Sequence, residues 1–124
     1  MLRSILKSKV HRAVVTQTEL QYEGSLTLDR TLMEAADLLP HERVMVYNIH
    51  NGERFDTYII EGEPGTGIVC INGAAARKAC VGDLIIIASY GMYDEKEIER
   101  HTTSIVLLNE KNRIISIKKI PLKT

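Results

Sequence analysis

The sequence predicts a mainly β fold, and three features lead to this prediction. Short segments rich in β-branched and aliphatic residues recur along the chain, turn signals separate them, and only one stretch has a clear helical pattern. This combination favours a compact β-barrel, with a two-sheet sandwich as the alternative. The chain has 124 residues and contains no linker, repeat or low-complexity tract, so one domain is expected.

The first part of the chain is predicted to form strands. Residues 2–7 and 10–18 are rich in β-branched residues and form either two strands or one bent strand. Residues 25–28 alternate polar and apolar side chains, which is typical of a short, half-buried strand. The Gly24-Ser25 pair at its start would ordinarily be a turn.

The stretch from Thr31 to Leu39 is the best helix candidate. Thr31 and Glu34 match a capping box, in which two side chains satisfy free backbone donors at the start of a helix. Apolar residues follow at helical spacing, and Pro40 ends the pattern because proline cannot continue a helix.

The remainder is predicted as strands joined by tight turns. Residues 43–49 and 54–60 flank Asn51-Gly52, which is a strong hairpin signal. Residues 72–79 begin with a second Asn-Gly turn and allow a short helical turn, and residues 90–100 are expected to form a short polar helix or a loop. Further strands are predicted at residues 68–71, 84–88, 104–108 and 113–117.

Composition narrows the classes of function. The 16 basic and 16 acidic residues balance, and there is no Trp, so neither a nucleic-acid surface nor an attraction to anionic membranes is expected. Cys70 and Cys80 are too few for a disulfide framework, and the four histidines lack a metal-ligand spacing, so no metal is expected. The longest apolar run, residues 84–88, is far too short to span a membrane, and a cytoplasmic location is predicted.

Several motifs occur in the order found in one family. They are Lys9 and His11, the Tyr-Glu-Gly-Ser of residues 22–25, residues 54–58, and the Asn-Gly-Ala-Ala-Ala of residues 72–76. With these motifs the chain resembles the pyruvoyl-dependent aspartate 1-decarboxylases over roughly residues 1 to 117. The resemblance implies a small six-stranded double-psi β-barrel with short helices, assembled as a homotetramer.

The resemblance gives Gly24-Ser25 a chemical meaning. It implies that the single domain, residues 1–124, cleaves itself there into a β-chain of residues 1–24 and an α-chain of residues 25–124. Ser25 becomes a pyruvoyl group, which is then the cofactor. Glycine has no Cβ and tolerates unusual dihedral angles, so a strained scissile peptide is easier to build at Gly24.

The resemblance also implies roles for residues elsewhere in the chain. The pyruvoyl group at Ser25 forms a Schiff base with L-aspartate, and Tyr58 protonates the carbon that has lost CO2, since a phenol keeps its proton at neutral pH. Besides Gly24 and Ser25, the residues implied for processing are Thr57, Asn72 and His11. The residues implied for substrate binding are Lys9, Tyr47, Arg54, Thr57, Gly73, Ala74 and Ala75.

The implied reaction converts L-aspartate into β-alanine and CO2 and supplies pantothenate and coenzyme A synthesis. One alternative is a pyruvoyl decarboxylase for another acidic amino acid, such as glutamate or cysteate, because Tyr47 stands where some relatives have Trp. A second alternative is an unprocessed β-barrel that serves as a binding module. The sequence leaves open whether maturation needs a helper factor.

Overall fold

The computed structural model describes residues 1–123 and confirms the mainly β fold with short helices. The helices are α1 (Arg30–Ala35) and α2 (Glu95–Arg100), and a 3-10 helix covers Gly73–Lys78. The strands are β1 (Arg3–Val14), β2 (Gln17–Glu19), β3 (Ser25–Asp29), β4 (Arg43–Asn48), β5 (Arg54–Gly62), β6 (Val69–Asn72), β7 (Leu84–Tyr93), β8 (Thr102–Leu108) and β9 (Ile114–Pro121).

The strands form one hydrogen-bonded sheet in the order β2-β6-β3-β5-β4-β7-β1-β8-β9. Three pairs are parallel, namely β1 with β8, β2 with β6 and β3 with β5, and the others are antiparallel. The hairpins predicted around Asn51-Gly52 and at the end of the chain are confirmed as β4–β5 and β8–β9.

A run of six neighbouring strands, β6-β3-β5-β4-β7-β1, matches in number the barrel that the resemblance implies. The chain passes from β1 almost directly into β2, which pairs with β6 at the far side of this run. Between the two strands, Thr16 donates its N–H to the carbonyl of Val69 at 2.9 Å, and Val69 donates its N–H to the Thr16 hydroxyl at 2.9 Å. The segment β1–β2 therefore links the two ends of the six-strand run, so the sheet curls round on itself.

The first strand is bent, in agreement with the predicted alternative of one bent strand. Strand β1 pairs with β7 throughout, but its register shifts between Leu6 and Ser8 and again between His11 and Ala13. Arg12, at the second shift, has a positive φ of 67°. The extra residue at such a bulge bends a strand. The bends explain how β1 can follow two differently oriented parts of the sheet.

The predicted helix of residues 31–39 is too long, and its predicted cap is wrong. Helix α1 ends at Ala35, Asp37 adopts a positive φ of 55°, and Leu39 is 67% exposed. The N-cap is Asp29 and not Thr31: the Asp29 carboxylate accepts the N–H of Thr31 at 2.8 Å. An ionised carboxylate at the helix start outcompetes a hydroxyl as acceptor because the bond is charge-assisted.

Asp29 also ties the loop before β6 to the helix start. Its buried carboxylate accepts backbone N–H groups from Gly65 at 3.1 Å and Gly67 at 2.8 Å. Burial alone would raise the pKa of this carboxyl, but the backbone hydrogen bonds outweigh burial and hold the pKa below its ordinary value of 3.8.

We expect Asp29→Asn to lower the free energy of unfolding by about 2 kcal/mol at pH 7, because several hydrogen bonds lose their charge. A lowered pKa in the folded state stabilises the fold above pH 3.8, and this stabilisation is lost as the pH falls through the folded-state pKa. Urea denaturation at pH 7 and well below pH 3.8 measures both values. The deficit should shrink in acid, and an equal deficit at both values would contradict the assignment. Asp94→Asn, at the exposed cap of α2, is the matched control and should cost less.

The core lies between the strands of the six-strand run and α1. Its largest fully buried side chains come mainly from β1, β3, β4, β5, β6 and β7. They include Val10, Leu26, Leu28, Val44, Val46, Ile59, Val69, Ile71, Ile85 and Ile87. This apolar layer holds the start of β3 and the end of β6 in fixed register, which positions the site described next. No helix within residues 1–123 has the length and apolar character needed to cross a membrane.

Candidate active site

Ser25 is the first residue of β3 and has no exposed surface. It lies directly opposite Asn72 in the antiparallel ladder between β3 and β6. The Asn72 side chain donates from Nδ2 to Ser25 Oγ at 2.9 Å, and Oγ in turn donates to the carbonyl of Glu23 at 3.3 Å. The fold thus joins two predicted processing residues that are 47 positions apart in the sequence.

Two further side chains bind Asn72, and neither was predicted from the sequence. Nδ2 also donates to Thr27 Oγ1 at 2.9 Å, and Cys70 Sγ donates to Asn72 Oδ1 at 3.2 Å. Thr27 lies two residues after Ser25, and Cys70 lies two residues before Asn72. Because side chains on a strand share a face at every second position, this spacing was a signal that could have identified them.

Gly73 follows Asn72 at a backbone crossing. It has a positive φ of 71°, and a Cβ at this position would lie 2.6 Å from Gly24 Cα and 2.9 Å from the Tyr22 carbonyl oxygen. Gly24, in contrast, does not have a positive φ, and a Cβ there would meet no atom within 4 Å. The steric requirement for glycine in this structure therefore lies at Gly73, and the role of Gly24 in straining the scissile peptide stays a prediction.

Ala74 and Ala75 follow in the 3-10 helix. Ala74 is exposed, whereas Ala75 is half-buried and packs against the core. Because these side chains are small, they leave space next to Gly73. This fits the predicted approach of a substrate for Ala74, and Ala75 has a structural role as well.

Strand β5 runs parallel to β3 with Leu26 opposite Ile59. Extending this register by one residue places Tyr58 beside Ser25, and both side chains then lie on the same face of the sheet. The Thr57 side chain lies on the opposite face of β5, as does that of Ile59. The Tyr58 ring packs edge-on against His41 with the ring centroids 6.3 Å apart, a contact that the sequence did not indicate.

Arg54 and Tyr47 are in contact, as two predicted substrate-binding residues should be. The Arg54 guanidinium carbon lies 4.6 Å from the centroid of the Tyr47 ring, in a cation–π arrangement. The Tyr47 hydroxyl is 2.9 Å from the hydroxyl of Tyr90, a neighbour not predicted from the sequence. The hydrogen bond with Tyr47, together with burial, raises the pKa of Tyr90 above its ordinary value, so Tyr90 keeps its proton at physiological pH. Arg54 is exposed, and its planar fork can bind a carboxylate.

Lys9 and His11 lie on a different strand from Ser25, Asn72 and Tyr58. Both are on β1, which is separated from β3 by β5, β4 and β7 in the sheet order, and they line a cavity of about 240 Å³ with side chains of β8 and β9. No hydrogen bond joins either to Ser25 within residues 1–123. Burial lowers the pKa of His11, as do the nearby charges of Lys9 and Arg12, and its buried Nδ1 has no hydrogen-bond partner. A lowered pKa makes the imidazole neutral at pH 7.

Fold and site together define a small, mainly β domain with a buried Ser25–Asn72 pair beneath a glycine crossing. A profile of the family described as aspartate decarboxylase matches residues 1–115. An aspartate 1-decarboxylase of Syntrophobacter fumaroxidans is 60% identical over 94% of this chain and 94% of its own. Those of Thermoanaerobacter pseudethanolicus and Listeria monocytogenes are each 52% identical, over 94% and 92% of this chain and 100% and 90% of theirs. The chain belongs to the aspartate decarboxylase family.

Solved structures were matched as well. The rationally designed protein mkDPBB_sym_86 superposes on 64% of this chain and 91% of its own with a TM-score of 0.47 at 15% identity. The related design mkDPBB_sym1 gives a TM-score of 0.46 at 19% identity, over 68% and 96% of the two chains. The fold assignment stands on the strand order given above.

Proposed function

We propose that the chain is a proenzyme that cuts itself between Gly24 and Ser25 and then decarboxylates L-aspartate. The products are CO2 and β-alanine, which supplies pantothenate and coenzyme A synthesis. Cleavage yields a β-chain of residues 1–24 and an α-chain of residues 25–124. The observation that supports this proposal is the buried Ser25 hydroxyl, held by Asn72 at 2.9 Å at a place where Gly73 lets two backbones meet.

The cleavage reaction needs only groups of this chain and one water molecule. Ser25 Oγ attacks the Gly24 carbonyl carbon, the C–N bond breaks, and the hydroxyl proton passes to the Ser25 nitrogen, which leaves an ester. Loss of the Ser25 Cα proton and of the Cβ–Oγ bond then releases the Gly24 carboxylate and leaves dehydroalanine. Water converts this into the pyruvoyl group and ammonia. Attack within one backbone needs no encounter between molecules, which favours the first step.

In its observed position, Asn72 assists the second step, in which the Cβ–Oγ bond breaks. As the Cβ–Oγ bond breaks, negative charge develops on Oγ, and the Asn72 N–H that points at this atom stabilises the charge. Thr57, which immediately precedes Tyr58 on β5, is the residue that the family resemblance assigns to the oxyanion that forms on the Gly24 carbonyl during the first step.

The surroundings of position 25 fit a pyruvoyl group. The amide of Asn72 offers a hydrogen-bond donor there, and the absent side chain of Gly73 lets the Gly24 backbone approach closely. A pyruvoyl group supplies a ketone that reacts with the substrate amine and withdraws electrons from the reacting carbon. Tyr58, on the same face of the neighbouring strand, is the proton donor to that carbon. Arg54 binds a substrate carboxylate through its fork.

The predicted homotetramer, the helper factor and the cytoplasmic location stay predictions. Exposed apolar side chains along β9, including Ile115 and Ile117, favour self-association. Neither Lys9 nor His11 makes a hydrogen bond to Ser25 within residues 1–123. A homotetramer in which one copy supplies Lys9 and His11 to the Ser25 of another would bring the implied residues together. Sedimentation of the processed protein measures the oligomeric state.

Intact-mass measurement under denaturing conditions tests the proposal directly. We expect two fragments that correspond to residues 1–24 and 25–124, the larger without a normal amino terminus. Borohydride reduction in the presence of aspartate should then add the substrate to the larger fragment only. A single whole chain after long incubation, alone and with cell extract, would rule the proposal out.

We expect Tyr58→Phe to cleave at the normal rate but to lose at least about 100-fold in kcat, because the variant keeps the ring and lacks the proton donor. A mass time course follows cleavage, and CO2 release from aspartate follows turnover. Tyr93→Phe, which also removes the phenol hydroxyl of a half-buried tyrosine, is the control and should retain full turnover. Full activity in the Tyr58→Phe variant would remove Tyr58 as the donor.

A further inference from the structure

We propose that Cys70 and Thr27 are positioning residues that fix the orientation of the Asn72 carboxamide and so set the rate of cleavage at Gly24-Ser25. The inference rests on the proposed function, since it concerns the self-cleavage step. It assigns a role to two buried or half-buried polar side chains that the mechanism above does not otherwise use.

A carboxamide has a donor end and an acceptor end, and rotation by 180° exchanges them. Here Cys70 Sγ lies 3.2 Å from the oxygen, while Thr27 Oγ1 and Ser25 Oγ each lie 2.9 Å from the nitrogen. Thr27 and Ser25 thus receive one N–H each. All three partners act on one planar group, so together they specify which end faces the nucleophile.

The thiol of Cys70 is a donor at neutral pH. Only 4% of this residue is exposed, and burial raises the pKa of the thiol, with a further contribution from the negative charge of Glu19. A protonated thiol can donate to the Asn72 oxygen but is a weak acceptor for an N–H. The reversed amide would therefore lose its partner at Cys70, and the observed orientation is favoured.

The reversed amide would also present its oxygen to Ser25. An oxygen cannot donate to the negative charge that develops on Oγ when the Cβ–Oγ bond breaks. Any change that lets the amide reverse therefore lowers the fraction of chains that are ready to cleave, without removing a reacting group.

The test follows cleavage of freshly translated, labelled full-length chains on denaturing gels. We expect Cys70→Ala and Thr27→Val each to slow cleavage by roughly 5-fold, about the effect of one hydrogen bond. Cys70→Ser replaces the thiol donor with a hydroxyl donor, and Thr27→Ser keeps the hydroxyl, so both should cleave close to the wild-type rate at an unchanged melting temperature. Cys80→Ala, which removes the exposed cysteine, is the matched control and should have no effect.

A double-mutant cycle shows whether the two residues act through Asn72. In an Asn72→Ala background, neither Cys70→Ala nor Thr27→Val should slow cleavage further. Additional slowing in that background, or wild-type rates for both single variants, would overturn this inference alone. A wild-type chain that never cleaves would overturn the proposed function and this inference with it.

Discussion

Replacing Ser25 with alanine is expected to abolish chain cleavage and aspartate decarboxylation together. In the proposed mechanism the hydroxyl is the nucleophile that attacks the Gly24 carbonyl, and the same residue later becomes the ketone. Every other residue of the site can only assist. The variant should fold, because alanine fits the space of serine and the unpaired Asn72 N–H costs only about 1–3 kcal/mol. The loss should therefore exceed that of any other single substitution.

Intact mass and CO2 release, measured on the same samples, give the two readings. Ser25→Ala should remain one chain of 124 residues and release no CO2 above the rate without protein. Ser4→Ala, an exposed serine on β1, should cleave and turn over like the wild type. If uncleaved Ser25→Ala protein still decarboxylated aspartate, the pyruvoyl mechanism would be wrong.

Most strands could be predicted because their signals are local. Alternation at residues 25–28 and the Asn51-Gly52 turn each depend on a few neighbouring residues, and the strand and the hairpin are both confirmed. The strand is buried on both faces, however, and the prediction that it is half-buried is wrong. The cap of α1 could not be assigned in this way. Asp29 is the better acceptor because it also holds the N–H groups of Gly65 and Gly67, which lie more than 35 positions further along the chain.

The site residues also fall into two groups: those that the sequence predicted, and those that only long-range strand pairing brings to the site. Ser25 and Asn72 were predicted through the family resemblance, and their contact follows from the register of β3 against β6. Cys70 and Thr27 have no motif of their own, so only this register connects them to the amide. The places of β1, which carries Lys9, and β3, which carries Ser25, in the sheet could not be predicted, since strand order is set by long-range pairing and not by local pattern.

Gly73→Ala is expected to have the next largest effect after Ser25→Ala. The new Cβ would lie 2.6 Å from Gly24 Cα and 2.7 Å from Gly24 N, and both are backbone atoms that cannot rotate away. The scissile segment must therefore shift, and the attack of Ser25 Oγ loses its alignment. Displacements of about 1 Å at reacting atoms cost on the order of 100-fold, and we expect cleavage to slow by at least that factor.

Gly52→Ala separates this displacement from simple backbone strain. Gly52 has a φ of 76°, close to the 71° of Gly73, but a Cβ there meets no atom within 4 Å. Both variants should lose about 1 kcal/mol of unfolding free energy from the positive φ, and Gly73→Ala about 1–3 kcal/mol more from the clash. Only Gly73→Ala should slow cleavage. Equal cleavage rates in the two variants would mean that the crossing of Gly73 over Gly24 does not align the scissile bond.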